Sequence, residues 1–195
     1  MGIVQSLHER RVVSPPKDEL NNLNPPLEQS LKSVFELLYQ ALPVEWEIYV
    51  RPYLNGLRPD IVILNPNTGI AIFQVLDLDL EEYQYSFLEI DEKTTILRRK
   101  KDGEFYPVRN PLDQAKLYRD EIYDLYCPRL EKRSGIEVIF SGVISMEATD
   151  EQMKMLFREY IEKHLNEKYL TYPLLGKESM EIESFKKAFP FMTAK

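Results

Sequence analysis

RPDIVILNPNTGIAIFQVLDLDL, residues 58–80, is the stretch on which the fold turns. Two apolar runs, Ile61 to Leu64 and Ile70 to Val75, flank Asn65-Pro66-Asn67-Thr68-Gly69. Asn, Pro and Gly favour turns for separate steric reasons, so two strands joined by a tight connection are expected. An acid, Asp60, opens the first strand, and the second ends in Gln74-Val75-Leu76. Because strand side chains alternate, positions 74 and 76 share one face.

Upstream, Leu27, Leu31, Val34, Phe35, Leu38 and Leu42 recur at spacings of three and four, which predicts an amphipathic helix closed by Pro43. Trp46, Ile48 and Val50 alternate with Glu47, Tyr49 and Arg51, the pattern of a strand ending before the Pro52 to Gly56 turn. Downstream, Tyr83 to Ile90 and Thr94 to Arg99 read as two more exposed strands, followed by a turn at Lys101-Asp102-Gly103. A second helix is expected over Leu112 to Leu125, ended by Pro128. A strand buried on both faces is expected over Ile136 to Ile144, and a charged helix over Glu147 to Lys168. This order of elements predicts an α/β fold with a central mixed β-sheet flanked by helices. The chain divides into an irregular arm at 1–26, a core at 27–146 and a C-terminal helical extension at 147–195. The apolar ending Phe185 to Met192 suggests that the extension leads into a further domain.

At 195 residues, with 44% hydrophobic and 29% charged residues, the chain has the composition of an ordinary soluble domain with one well-filled core. No apolar run approaches the ~18 residues of a membrane span, and Met1 to Lys17 carries no apolar central region of a signal peptide. A cytoplasmic location and no membrane partner are expected. Cys127, the only cysteine, excludes an internal disulfide framework and reads as a buried small hydrophobe. His8 and His164 stand beside no candidate nucleophile, which argues against Ser-His-Asp or Cys-His catalysis. A net charge of −7 disfavours nonspecific polyanion binding. Against that background stands one basic run, Arg98-Arg99-Lys100-Lys101, with Arg109 nearby. It is either a solvated loop or a phosphate-binding patch.

Two acids and a lysine at positions 60, 74 and 76 would form a phosphodiesterase centre, with carboxylates holding a hard dication and an ammonium polarising water or phosphate. The stretch Arg51-Pro52-Tyr53-Leu54-Asn55-Gly56-Leu57-Arg58-Pro59-Asp60, the strand from Gly69 to Phe73, and Asn110-Pro111-Leu112-Asp113-Gln114-Ala115-Lys116-Leu117-Tyr118 together resemble the PD-(D/E)xK nuclease superfamily. The resemblance is closest to the NERD (nuclease-related) domain found ahead of bacterial DNA helicases, and it spans Leu27 to Ile144. It implies a restriction-endonuclease-like core, with Asp60 as a metal ligand, the strand-end pair at 74 and 76 as catalytic positions, and Gln114 and Tyr118 as the family's Gln-x-x-x-Tyr pair. Glu28 matches the position of a family glutamate at the start of the first helix. It also implies DNA as partner and a helicase in the same chain or in trans.

The departure is as specific as the match: the family's Glu-Val-Lys is here Gln74-Val75-Leu76. At an effective dielectric of 20, one charge at ~4 Å contributes about 4 kcal/mol, or roughly a thousandfold in rate. Asp77 and Asp79 are expected to point away from that face and mark a loop, and Lys116 lies about 200° around a helix from Gln114. Mg²⁺ or Mn²⁺ is therefore expected to be held weakly by Asp60 and Gln74, or not at all. Three functions stay open: a degenerate nuclease-fold domain that binds DNA or couples to a helicase, a working Mg²⁺- or Mn²⁺-dependent nuclease built from Glu28, Asp60, Gln74 and Gln114, and a protein-interaction module. For phosphate contact the candidates are Arg58, Arg98, Arg99, Lys100 and Lys101. The plainer readings are a turn residue for Asp60, a strand-end amide for Gln74, pocket-closing packing for Leu76, and ordinary helix and core residues for Gln114 and Tyr118. No Gly-rich Lys-Ser/Thr loop for nucleotide phosphates is present.

Overall fold

The computed structural model describes residues 11–91, 94–126, 138–165 and 172–188. His8, Cys127, Pro128, Ile136 and the end of the apolar C-terminal stretch lie outside these residues.

The hairpin forms as its sequence demands. Strands β3 (Ile61–Asn65) and β4 (Gly69–Leu76) pair antiparallel in the register Ile61 to Phe73 and Asn65 to Gly69. In the turn, the Asn67 N–H donates to Asn65 Oδ1 at 2.9 Å, an Asx turn. Gly69 sits at φ 147°, and a Cβ there would meet the Val138 carbonyl oxygen at 2.3 Å, so only glycine fits.

Around this pair a six-stranded mixed sheet is built, in the order β1-β2-β3-β4-β8-β9. Its other members are β1 (Val13–Ser14), β2 (Glu47–Val50), β8 (Ile139–Ser145) and β9 (Leu174–Leu175). The β1–β2, β4–β8 and β8–β9 pairs are parallel, and β2–β3 and β3–β4 are antiparallel. Four helices flank the sheet: α1 (Gln29–Ala41), α2 (Pro111–Glu121), α3 (Asp150–Tyr160) and α4 (Ile182–Ala188). The fold is thus α/β with a restriction-endonuclease-like core.

Alternation along the strands sorts the core into two layers. Ile61, Ile63, Ala71, Phe73 and Ile144 face Leu31, Val34, Phe35 and Leu38 of α1 and Phe185 of α4. On the other face, Val62, Ile72 and Ile139 meet Tyr118 of α2, while Val143 meets Leu112, Ala115 and the α3 residues Met153 and Phe157. Local signals set the helix ends. Asn110 Oδ1 accepts the Leu112 N–H at 3.1 Å ahead of Pro111, and Thr149 forms a capping box with Gln152. The Arg11 guanidinium donates to the carbonyls of Tyr39 and Leu42, satisfying the C-terminal end of α1. Helices α2 and α3 each run on into one π-helical turn, Ile122–Tyr126 and Ile161–Leu165.

Between β4 and α2 the chain departs to form a separate three-stranded antiparallel sheet, the wing: β5 (Gln84–Glu89), β6 (Thr95–Lys101) and β7 (Glu104–Pro107). The first two were expected, but the third was not, and the basic run proves to lie on a strand rather than in a loop. Among the described residues no helix is long and apolar enough to cross a membrane.

Candidate functional site

Asp60 lies one residue before Ile61, whose partner across the hairpin is Phe73, so it stands beside Gln74 at the open end of the two strands. Its carboxylate reaches across: the Val75 N–H donates to Asp60 Oδ2 at 2.9 Å. The second oxygen, Oδ1, lies 4.0 Å from Arg51 Nε, and the Arg51 N–H donates to the Asp60 carbonyl at 2.8 Å. Arg51 also forms an ion pair with Glu28, the N-cap residue of α1. One guanidinium therefore stands between the two carboxylates expected to belong to a metal centre. It is held there at a backbone cost, since Arg51 has φ 49°, a left-handed conformation that costs a non-glycine residue about 1–2 kcal/mol.

Gln74 is buried, and its amide nitrogen meets no hydrogen-bond acceptor among the described residues. Leaving a buried donor unpaired costs about 1–3 kcal/mol. Leu76, two residues on, packs against the apolar cluster that contains Leu112 and Val143. The side chain at position 76 is thus surrounded by hydrocarbon.

From α2, the Gln-x-x-x-Tyr pair closes over the same end of the sheet. The Tyr118 hydroxyl donates to the Arg58 carbonyl at 3.3 Å and lies 3.5 Å from the Gln114 amide. The Gln114 amide oxygen, turned to Arg109, accepts from its guanidinium at 2.8–3.1 Å. Burial, opposed by Arg109 and reinforced by the Asp60 charge, pushes the Tyr118 phenol above its ordinary value. Asp60, Gln74, Gln114 and Tyr118 thus lie at one end of the sheet, and Glu28 joins them through Arg51.

The electrostatics follow from this packing. Burial raises the Asp60 carboxyl above the usual carboxylate range, although the Val75 N–H and Arg51 pull it back. Arg51 lowers the Glu28 carboxyl through their hydrogen bond. A divalent cation fits this donor set poorly: one carboxylate oxygen is committed to a backbone N–H, Glu28 is committed to a guanidinium, and the third donor is a neutral amide. Among the described residues no group of three or more His, Cys, Asp and Glu side chains is placed to hold a metal. Nor do the downstream acids supply one. Asp77 accepts from the Ser30 hydroxyl of α1 at 3.3 Å, and Asp79 accepts the N–H groups of Glu81 and Glu82 in the loop before β5.

Arg51 and Arg109 were not among the residues expected to form this site. Arg51 reads in sequence as the solvent-facing end of an alternating strand, and Arg109 as a neighbour of the basic run. A usable signal for Arg51 was its place at a strand end just before a Pro-containing turn, where an antiparallel partner such as Asp60 must lie opposite.

The five phosphate-contact candidates do not form one patch. Arg58 lies over the Tyr53 ring, 5.7 Å from its centroid, on the core side. Arg98 and Lys100 flank Phe105 on one face of the wing. Arg99 turns to the other face, over Tyr83, and Lys101 pairs opposite Glu104. In comparisons with known proteins, no family model, no curated protein and no solved structure matches the chain.

Proposed function

We propose that this chain is a NERD-like nuclease-fold domain with an inactive or severely weakened phosphodiesterase centre, serving in the cytoplasm to bind DNA or to couple to a helicase in the same chain or in trans. One observation carries the reading: the Arg51 guanidinium stands between Glu28 and Asp60 and engages the two carboxylates that a rearranged metal centre would need. With Gln74 neutral and Leu76 packed into hydrocarbon, the pocket has exchanged a mobile dication for a fixed monocation. Mg²⁺ or Mn²⁺ is bound weakly or not at all. The pocket keeps its outline because the same residues stitch α1, the hairpin and α2 together, which is a structural role that outlasts chemistry.

The test is incubation of plasmid and linear DNA with Mg²⁺ or Mn²⁺, beside an Asp60→Ala control. No cleavage above the control is expected. Cleavage that the control abolishes would instead establish a working nuclease with a rearranged centre.

A further inference from the structure

We propose that the outward face of the wing is a stacking platform for single-stranded DNA, with Phe105 and the Arg98 guanidinium taking base faces and Lys100 a phosphate. The choice of DNA over RNA rests on the reading in the preceding section; the preference for a single strand rests on the wing itself.

Register and alternation divide the wing into two faces. The inward face carries Leu97 opposite Phe87 and Arg99 opposite Tyr85, and Phe87 stacks on Tyr160 of α3 with ring centroids 4.7 Å apart. On the outward face lie Leu88, Ile96, Ser86, Arg98, Gln84, Lys100, Phe105 and Pro107. Among the described strand positions this face has two cations and no carboxylate, in a chain whose net charge is −7. The two acids on the wing's strands, Glu89 and Glu104, fall on the inward side, where Glu89 pairs with Lys163 and Glu104 lies opposite Lys101, and the wing's other acids among the described residues lie in the turns. Such separation of charge on one small sheet complements a polyanion.

The cations are already in place. Arg98 Nε donates to Ser86 Oγ at 3.0 Å, and its guanidinium lies 4.1 Å from the Phe105 centroid, with Lys100 Nζ 5.6 Å from the same ring. A planar group held over a ring and anchored by a hydrogen bond meets a base at little further ordering cost. Phe105 nevertheless remains 41% exposed and Leu88 40%. Duplex DNA keeps its base faces stacked internally and would gain little from such a surface, whereas a single strand stacks its bases on aromatic and guanidinium planes. Location agrees: the wing leaves the core after Leu76 and returns at Arg109 and Asn110, so its two ends adjoin the end of β4 and the start of α2.

The experiment is fluorescence anisotropy of the whole chain with a labelled deoxythymidine oligomer of about 12 nucleotides, a duplex of the same length and a uridine oligomer, each at ~50 mM salt. The deoxythymidine strand is expected to bind tightest. Phe105→Ala should weaken it by about five- to hundredfold without changing the salt dependence. Lys100→Gln should weaken it and reduce the slope of log affinity against log salt by about 0.7. Lys154→Gln on α3 serves as the unaffected control, and thermal melting checks that each variant is folded. Tighter duplex or uridine binding, or an unchanged affinity in both wing variants, overturns the platform while leaving the DNA-binding reading intact. No binding to any of the three overturns both.

Discussion

At the mouth of the β3–β4 hairpin, Asp60 accepts a backbone N–H and faces a guanidinium that is itself shared with Glu28. On the wing, Arg98 and Lys100 face outward with a phenyl ring and a hydroxyl beside them and no carboxylate on their face. Both regions are antiparallel sheet, and they differ in the partners of their charges. A charge taken from water must be compensated where it sits, because desolvation costs several kcal/mol per ion after relaxation. One left at the surface costs little and stays available to a ligand. At the hairpin end the charges face one another, whereas the wing's two outward cations have a ring and a hydroxyl as neighbours.

The sharpest way to break that contrast is to restore the missing groups. Gln74→Glu with Leu76→Lys should bring metal-dependent hydrolysis up by about a thousandfold or more over the parent, since a carboxylate on a dication and a positioned ammonium each contribute on that scale and do not simply add. Initial rates of plasmid nicking with Mn²⁺ measure it. In the same variant, the thermal midpoint should rise on adding Mn²⁺, because two carboxylates then share a buried site that needs a cation. A double variant that is folded, inert and blind to Mn²⁺ would contradict the degenerate-centre reading.

Next in size is a comparison of one residue type in two solvents. Phe73→Ala, at a fully buried position of the hairpin, should cost about 3–5 kcal/mol in urea denaturation, whereas Phe105→Ala on the wing should stay within about 0.5 kcal/mol. Similar losses at the two sites would mean that the wing face is covered in solution.

Arg51→Gln should lower stability by about 1 kcal/mol at neutral pH, since it removes a partly exposed ion pair and leaves Asp60 less compensated. It should also let Mn²⁺ raise the melting midpoint, an effect absent from the parent. A parent that responds to Mn²⁺ as strongly as the variant would show that the guanidinium does not stand in for a metal.

The smallest effect is on pH dependence, and its sign differs between the two acids. Asp60 holds its proton to a higher pH when folded than when unfolded, so its contribution is most favourable below the unfolded value and declines as pH rises through the raised folded one. Glu28 behaves oppositely: its contribution is present above the unfolded value and is lost as pH falls through the lowered folded one. Asp60→Asn should thus flatten the decline in unfolding free energy as pH rises from about 4 toward neutrality, and Glu28→Gln should flatten the loss on acidification. Urea titrations across that range distinguish the two, and a steeper decline in Asp60→Asn would reverse the assigned burial effect.

Much of this architecture was legible in advance, because periodicity reports on steric and hydrophobic forces that act within a few residues. Helix α1, the hairpin and the Asp60–Gln74 juxtaposition all follow from local pattern, the last because a five-residue turn region fixes the register. Strand β7 escaped notice because all four of its residues are exposed and it shows no alternation of burial. Strand β9, two residues long, leaves no periodic trace, and it pairs only because Gly142 lets Pro173 approach: a Cβ there would meet the Pro173 carbonyl oxygen at 2.3 Å. The site was half visible. Gln74 and Leu76 can be placed beside Asp60 from the hairpin pattern, but nothing near Arg51 in sequence points to Glu28, 23 residues earlier.

By itself, then, the sequence determined the order of helices and strands, the pairing of the hairpin, and the presence of a neutral amide and a leucine at its open end. Only the tertiary structure decided which cation faces which acid, and which side of the wing each basic residue takes. Hydrophobic periodicity is written along the chain, residue against near neighbour. Charges instead find their partners through space, and burial alone sets how much each pairing matters.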